Sequence, residues 1–487
     1  MPLRRLLLAV VLLVLVGMAW RWGVILTGVF EDDVLCVNYN TLRDFEVYGR
    51  VRHGELPLQG PITSVGGNHG WLAYWIFGLA VTAWPSVTTT MLVSMALVAL
   101  GWGLGVLLAW RLAPGVPTAL AALVLLSTHM PILTSFPSHI VLLLPGTALA
   151  LLGATWSREH AWGAVLATTG LAVAMGGHRV GWVLFALLFL MDRAHDLNLF
   201  RRRIAWLPLG LYVIPSLVVH ALGGSPTPGS EDRTSRWLEL VSPWHVAVSL
   251  PFARPFYPGT GALELVQMAF VLAVLALAWR ALDTPAAKAT WWLYVVLAAG
   301  LLLLPEDGQY YMPLVALLPA LVALATQAVM RLGAAPLAGW TAAATLVLGA
   351  SHFALATDMR SQLGGVRGGF RSITEELALV RALGEQHISR DELWTRTHHD
   401  RPHREQAMAY LAAVELDLPP RSDGDARCFE SAPTAQVAGQ PGWAPAGTST
   451  LWSLRVREGA TDCTPSLERV ESPIWYLDLT TLRPVVH

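Results

Sequence analysis

Long apolar runs alternate with short polar stretches along most of the chain. After Arg4 and Arg5 the first run covers residues 6–30. Others lie near 70–84, 89–110, 116–130, 138–156, 161–191, 204–222, 261–280, 289–305, 310–330 and 336–356. Each approaches the roughly 20 residues that carry a helix across hydrocarbon. The pattern predicts an all-α polytopic membrane protein of about 11 to 13 transmembrane helices. Gly176-Gly177-His178-Arg179 interrupts the run 161–191, which reads as one kinked crossing or two short ones. From residue 357 the chain turns polar and rich in proline and arginine. The spacing of Ile373, Leu377, Val380 and Leu383 predicts an amphipathic helix over 371–387, and 402–414 reads as a second. Residues 451–456 and 474–479 read as strands. The expected organisation is a transmembrane domain, 1–356, and a small α+β domain, 357–487.

Charge placement sets the expected orientation. Arg4-Arg5 before the first run holds the N-terminus in the cytoplasm and sends Glu31 outside. A cleaved signal peptide fits poorly, because the first run continues past Ala19 and later runs also insert. Arg201-Arg202-Arg203 is the strongest positive flank and belongs inside, so an odd number of crossings separates it from Glu31. Alternation then puts 223–260 outside, 280–288 inside, 305–310 outside and Arg331 inside, leaving the tail outside. Trp20, Trp22, Trp71, Trp75 and Trp84 lie near helix ends, where amphipathic rings favour the interface. The expected location is the cytoplasmic (inner) membrane, with the first loop, 31–69, and the tail both extracytoplasmic.

Composition agrees with this reading. Of 487 residues, 54% are hydrophobic and 14% charged, too few charges for a water-facing surface throughout. The net charge of −1 gives no field that would gather nucleic acid. Lys288 is the only lysine, a usage that fits a GC-rich bacterial genome. No Cys-x-x-Cys pair occurs among Cys36, Cys428 and Cys463, so zinc and redox motifs of that kind are absent. Cys428 and Cys463 would pair as a disulfide in an oxidising outer compartment.

The candidate chemistry gathers in the first loop. Glu31, Asp32 and Asp33 follow the first helix directly, and mutual repulsion suits one of them for proton abstraction. On its own such a triplet reads first as a solvated helix end that merely stops insertion. Arg43, Arg50, Arg52 and His53 in the loop, and Arg179 beside His178, could hold an anion; singly, each also fits an interfacial arginine or histidine. Arg21 lies about 15 Å of helix before Glu31, inside the first run, and must snorkel outward or face a wet cavity. His398, His399 and His403 could ligate zinc, but no further ligand has regular spacing.

The loop continues through Asn38-Tyr39-Asn40, Gly54-Glu55-Leu56-Pro57-Leu58-Gln59-Gly60-Pro61 and Gly66-Gly67-Asn68-His69-Gly70-Trp71. This order resembles the GT-C glycosyltransferases that use polyprenyl-phosphate sugars, in the branch of protein O-mannosyltransferases and aminoarabinose transferases. Asp32-Asp33 stands where that family has Asp-Glu, and His69-Gly70 precedes the second membrane helix. Gly170-Leu171-Ala172 followed by His178, and Gln309-Tyr310-Tyr311-Met312-Pro313-Leu314, resemble two later segments. Near Ser135-Phe136-Pro137-Ser138-His139 relatives often carry a second acidic residue, and here none stands. The resemblance covers about residues 1–356.

The resemblance implies transfer of a sugar from a polyprenyl-phosphate donor to a glycan, lipid or protein acceptor outside the membrane, by a single inverting displacement. It implies Asp32 as base, with Asp33 and Glu31 as alternatives. His69, Arg43, Arg52, His178, Arg179, Tyr310 and Tyr311 would bind substrate. No cofactor is expected, and a divalent metal stays open. A transporter or flippase of lipid-linked glycans should show broken helices in two related halves, and only residues 176–179 break a helix. An O-antigen-type polymerase or ligase should carry its main outer loop late in the chain.

Overall fold

A computed structural model describes residues 2–31, 34–36, 39–60, 70–128, 138–221, 261–301, 311–363, 370–372, 429–433, 443–448, 452–457, 475–479 and 483–486. Thirteen α-helices fall among them: α1 (Pro2–Glu31), α2 (Tyr39–Arg52), α3 (Leu72–Ala83), α4 (Val87–Leu112), α5 (Val116–Ser127), α6 (Leu143–Trp156), α7 (Ala161–Gly177), α8 (Val180–His195), α9 (Trp206–Ala221), α10 (Ala262–Ala278), α11 (Pro285–Leu301), α12 (Met312–Leu332) and α13 (Ala334–Leu363). Among the described residues, six apolar helical segments are long enough to cross a membrane: Leu3–Val29, Val87–Leu112, His139–Trp156, Ala262–Ala281, Met312–Leu332 and Ala334–Thr357. The run 161–191 is two helices, broken at His178-Arg179.

The apolar runs differ in where they sit. Almost every residue of α12 from Met312 to Val329 is buried, so this helix forms the centre of the bundle. Its composition is apolar on all sides, as a central helix requires. In contrast, α1 turns Leu6, Leu13, Val16 and Trp20 outward.

Close packing of α6 on α7 is made possible by glycines. A Cβ on Gly170 would lie 2.3 Å from the Ala150 amide nitrogen, and one on Gly153 would lie 2.3 Å from that of Ala167. Lipid tails are as apolar as leucine, so membrane helices gain chiefly by such close backbone approach.

The bundle has two chemically distinct ends. At one end Arg111 pairs with Glu159, Arg201 with Asp196, and Ser157 Oγ donates to the Leu197 carbonyl. Arg331 donates to the Arg280 carbonyl and to Asp283, whose carboxyl that hydrogen bond holds below its ordinary value. Lys288 lies within electrostatic reach of His195. This end also carries Arg202 and Arg203, and it is strongly basic. The expected alternation put residues 201–203, 280–288 and 331 together, and the structure groups them.

The other end holds α2 and the strands that pair with the first loop. β1 (Val34–Cys36) pairs antiparallel with β3 (Phe370–Ser372). β2 (Glu55–Pro57) pairs with β7 (Trp475–Asp478), which pairs with β8 (Arg483–Val486). β4 (Phe429–Pro433), β5 (Trp443–Thr448) and β6 (Trp452–Arg457) form a separate three-stranded sheet in the order β4-β6-β5. First loop and tail therefore meet at one end, joined by backbone hydrogen bonds. The expected strands near 451–456 and 474–479 appear as β6 and β7. The helices expected at 371–387 and 402–414, and the pair Cys428 and Cys463, lie outside the described residues.

The tryptophans divide. Trp20 and Trp84 are exposed, as interfacial rings should be. Trp22 is buried and donates to the Leu126 carbonyl; Trp71 donates to the Tyr212 carbonyl and Trp75 to that of Pro57. These three are packing anchors, because each indole N–H finds a carbonyl inside the protein.

Two outcomes follow. Gly170→Ala should lower the thermal midpoint in detergent, at a cost of about 1–3 kcal/mol for overpacking, while Gly210→Ala, which meets open space, should leave it unchanged. Deleting residues 475–487 removes the partner strand of β2, so limited proteolysis should cut faster at 52–60 while helical circular dichroism holds.

Candidate active site

The site is assembled on α2, an amphipathic helix at the end of the bundle opposite the basic turns. Asp44, Phe45, Tyr48 and Val51 share its buried side at helical spacing. Tyr48 stacks on Phe77 of α3, with centroids 5.1 Å apart. The helix stops at His53-Gly54, where Gly54 adopts φ +87°, a conformation glycine takes without penalty. The Gly54 carbonyl then accepts from the Leu479 amide at 2.7 Å, tying the turn to the end of β7.

A carboxylate lies at the centre. Asp44 has no exposed surface, and burying a charge is costly unless donors replace its water. Tyr74 Oη of α3 donates to Oδ1 at 3.0 Å. Ser138 Oγ donates to Oδ2 at 3.2 Å, and His139 Nδ1 sits 2.7 Å from the same oxygen. Ser138 and His139 open the 3₁₀ turn His139–Leu142 that leads into α6. Donors from two elements thus converge on a carboxylate from a third.

A stack of rings extends the cluster. The His139 ring stacks against Tyr74 at 5.8 Å and against His178 at 5.8 Å, with interplanar angles of 24° and 14°. His178 caps the break between α7 and α8: its Nδ1 accepts from the Val180 amide at 3.2 Å. Glycines allow this corner to close. A Cβ on Gly177 would lie 2.8 Å from the His139 carbonyl oxygen, and one on Gly181 would lie 2.3 Å from the Met175 amide nitrogen. Arg179, half-buried, precedes α8 and stands next to His178.

The residues expected from the sequence fall into three groups. His178 belongs to this cluster, Arg179 follows it in the chain, and Tyr311 is buried at the start of α12. Arg52 and His53 are half-buried at the end of α2. Arg50 is engaged locally, pairing with Glu55 at 3.2 Å. Asp32, Asp33, His69 and Tyr310 lie outside the described residues, as do the side chains of Glu31 and Arg43. His398, His399 and His403 also lie outside them. Among the described residues no group of three His, Cys, Asp or Glu is placed to hold a metal ion.

Arg21 finds its partners on α13. It donates to Thr357 Oγ1 at 3.0 Å and lies 4.4 Å over the Phe353 ring, so α13 satisfies it. Sequence reasoning missed Asp44, Tyr74, Ser138 and His139 as a unit. The one available signal was a carboxylate on the apolar side of α2, in line with Tyr48 and Val51.

No protein-family model and no curated protein sequence matches the chain. Similarity appears in three dimensions. The structure of ArnT from Cupriavidus metallidurans bound to undecaprenyl phosphate superposes with a TM-score of 0.57 at 11% identity, covering 94% of this chain and 99% of that one. Its apo form gives 0.52 at 11% identity, covering 92% and 98%. An oligosaccharyltransferase from Archaeoglobus fulgidus gives 0.46 at 11%, covering 80% and 60%. The multi-pass helical architecture of this chain is the GT-C fold.

Proposed function

We propose that the protein is a glycosyltransferase that moves a sugar from a polyprenyl-phosphate donor to an acceptor on the outer side of the cytoplasmic membrane. The observation that carries this reading is the nearly end-to-end likeness to ArnT, a protein solved with undecaprenyl phosphate bound. The order of motifs in the first loop supports it independently. By the positive-inside rule the basic end faces the cytoplasm, which leaves α2, the first loop and the tail strands outside.

The chemistry suits that position. The donor keeps its isoprenoid tail in hydrocarbon and its phosphate at the surface. The acceptor hydroxyl oxygen attacks the anomeric carbon as the carbon–oxygen bond to phosphate breaks, and the electron pair leaves on the phosphate. The hydroxyl proton passes to a carboxylate of the first loop, for which Asp32 is the first choice and Asp33 and Glu31 the alternatives. Cations and hydroxyls offset the charge on the leaving phosphate. Arg179 and His178 at the α7–α8 corner, Arg43, Arg52 and His69 of the first loop, and Tyr310 and Tyr311 before α12 are the candidates. A transporter would place its polar break near mid-membrane, in each of two halves. The cluster here gathers instead at one end of the bundle, as surface chemistry on a lipid-linked donor requires.

Membranes containing the protein, incubated with labelled polyprenyl-phosphate sugars, should transfer label to an endogenous acceptor. Asp32→Asn should cut transfer by roughly 100-fold or more, the scale of losing a general base, with expression unchanged. No transfer from any such donor would end the reading, and full activity in Asp32→Asn, Asp33→Asn and Glu31→Gln would end the assignment of the base. A reporter fused after His487 should be active only outside the cytoplasm.

A further inference from the structure

The buried pair of Asp44 and His139 is not assigned a role by the transferase reading, and its geometry is more specific than packing needs. The carboxylate of α2 meets Nδ1 of His139 at 2.7 Å with both side chains essentially unexposed. A buried carboxylate is stabilised by donors, so the tautomer that suits this site carries its proton on Nδ1, pointed at Asp44, and leaves the lone pair on Nε2. His178 has the opposite arrangement. Its Nδ1 accepts from the Val180 amide at 3.2 Å, which puts its proton on Nε2. Two stacked imidazoles 5.8 Å apart are therefore fixed in complementary tautomers, next to Arg179.

We propose that Asp44 is a positioning residue for transfer, acting through His139: it fixes the tautomer of that ring, and the ring so fixed supports the reaction at the α7–α8 corner. The proposal rests on the transferase reading. Among the described residues, the titratable groups shown against the His139 ring are Asp44 of α2, Tyr74 of α3 and His178 at the corner, and Arg179 follows His178 in the chain. An Asp44→Asn change keeps the shape but replaces one acceptor oxygen with an N–H donor, and with that N–H in the Oδ2 position the favoured His139 tautomer reverses. The same logic governs a carboxylate that orients a catalytic histidine. Hydrogen bonding and packing alone would tolerate the amide. A tautomer requirement would not.

The test is a double-mutant cycle with a spectroscopic control. Asp44→Asn and His139→Asn, purified with wild-type helical circular dichroism and assayed well below their thermal midpoints, should each lower kcat by 10- to 100-fold, with the KM for a polyprenyl-phosphate sugar within threefold. The double mutant should be no worse than the slower single mutant, because Asp44 has nothing to orient once the ring is gone. Wild-type kcat in Asp44→Asn, or losses that multiply in the double mutant, would overturn the proposal. ¹⁵N-histidine NMR, with His139 assigned by its loss in His139→Asn, reads the tautomer directly, whether or not the donor is the right one. A proton on Nδ1 in the wild type and on Nε2 in Asp44→Asn is expected. A proton on Nε2 in the wild type overturns the proposal even where transfer is never observed, while transfer without these effects leaves the transferase reading standing.

Discussion

The buried carboxylate of Asp44 is the constraint on which the α2 end of the bundle depends. With no water to solvate it, it must take donors from its neighbours, and it takes them from α3 and from the turn before α6. Removing one partner of such a pair leaves a buried group unsatisfied, typically at about 3–5 kcal/mol, so these elements are held in one arrangement. Stacking of His139 on His178 carries that arrangement to the α7–α8 corner. One side chain of the first loop thus connects to the helix break at His178, 134 positions further along the chain (178 − 44).

The corner depends in turn on residues that have no side chain to offer. Gly177 packs against the His139 carbonyl and Gly181 against the backbone of Met175, so the chain reverses sharply and His178 comes to face inward. Along the same helix pair, Gly153 and Gly170 let α6 and α7 approach closely. Side chains at these positions would separate the helices that carry His139 and His178. Packing in the membrane and geometry at the site are therefore one problem, solved by one set of small residues.

Backbone pairing supplies the remaining support. β1 follows α1 and is clasped by β3, while β2 follows α2 and is clasped by β7. Trp75 anchors β2 to α3 through the Pro57 carbonyl, and Arg50 pairs with Glu55 across the turn. α2 is thereby bounded by strand pairs on both sides, and segments far apart in the chain fix where Asp44 stands.

Hydropathy alone located most of the membrane helices, the polar tail, two of its strands and the break at 176–179, because these follow from local composition and spacing. Motif order in the first loop pointed to the GT-C fold, which the three-dimensional likeness then showed. What the pattern left open has a single physical cause: lipid and protein interior are equally apolar, so an apolar run reports a preference against water and says nothing about its neighbour. Only the tertiary structure put α12 in the centre and α1 at the rim, and turned Trp22, Trp71 and Trp75 inward while leaving Trp20 outside. The Asp44 cluster was hidden for a related reason. Its hydrogen bonds join residues 30, 94 and 95 positions apart, and no local spacing encodes a carboxylate whose partners arrive from other helices.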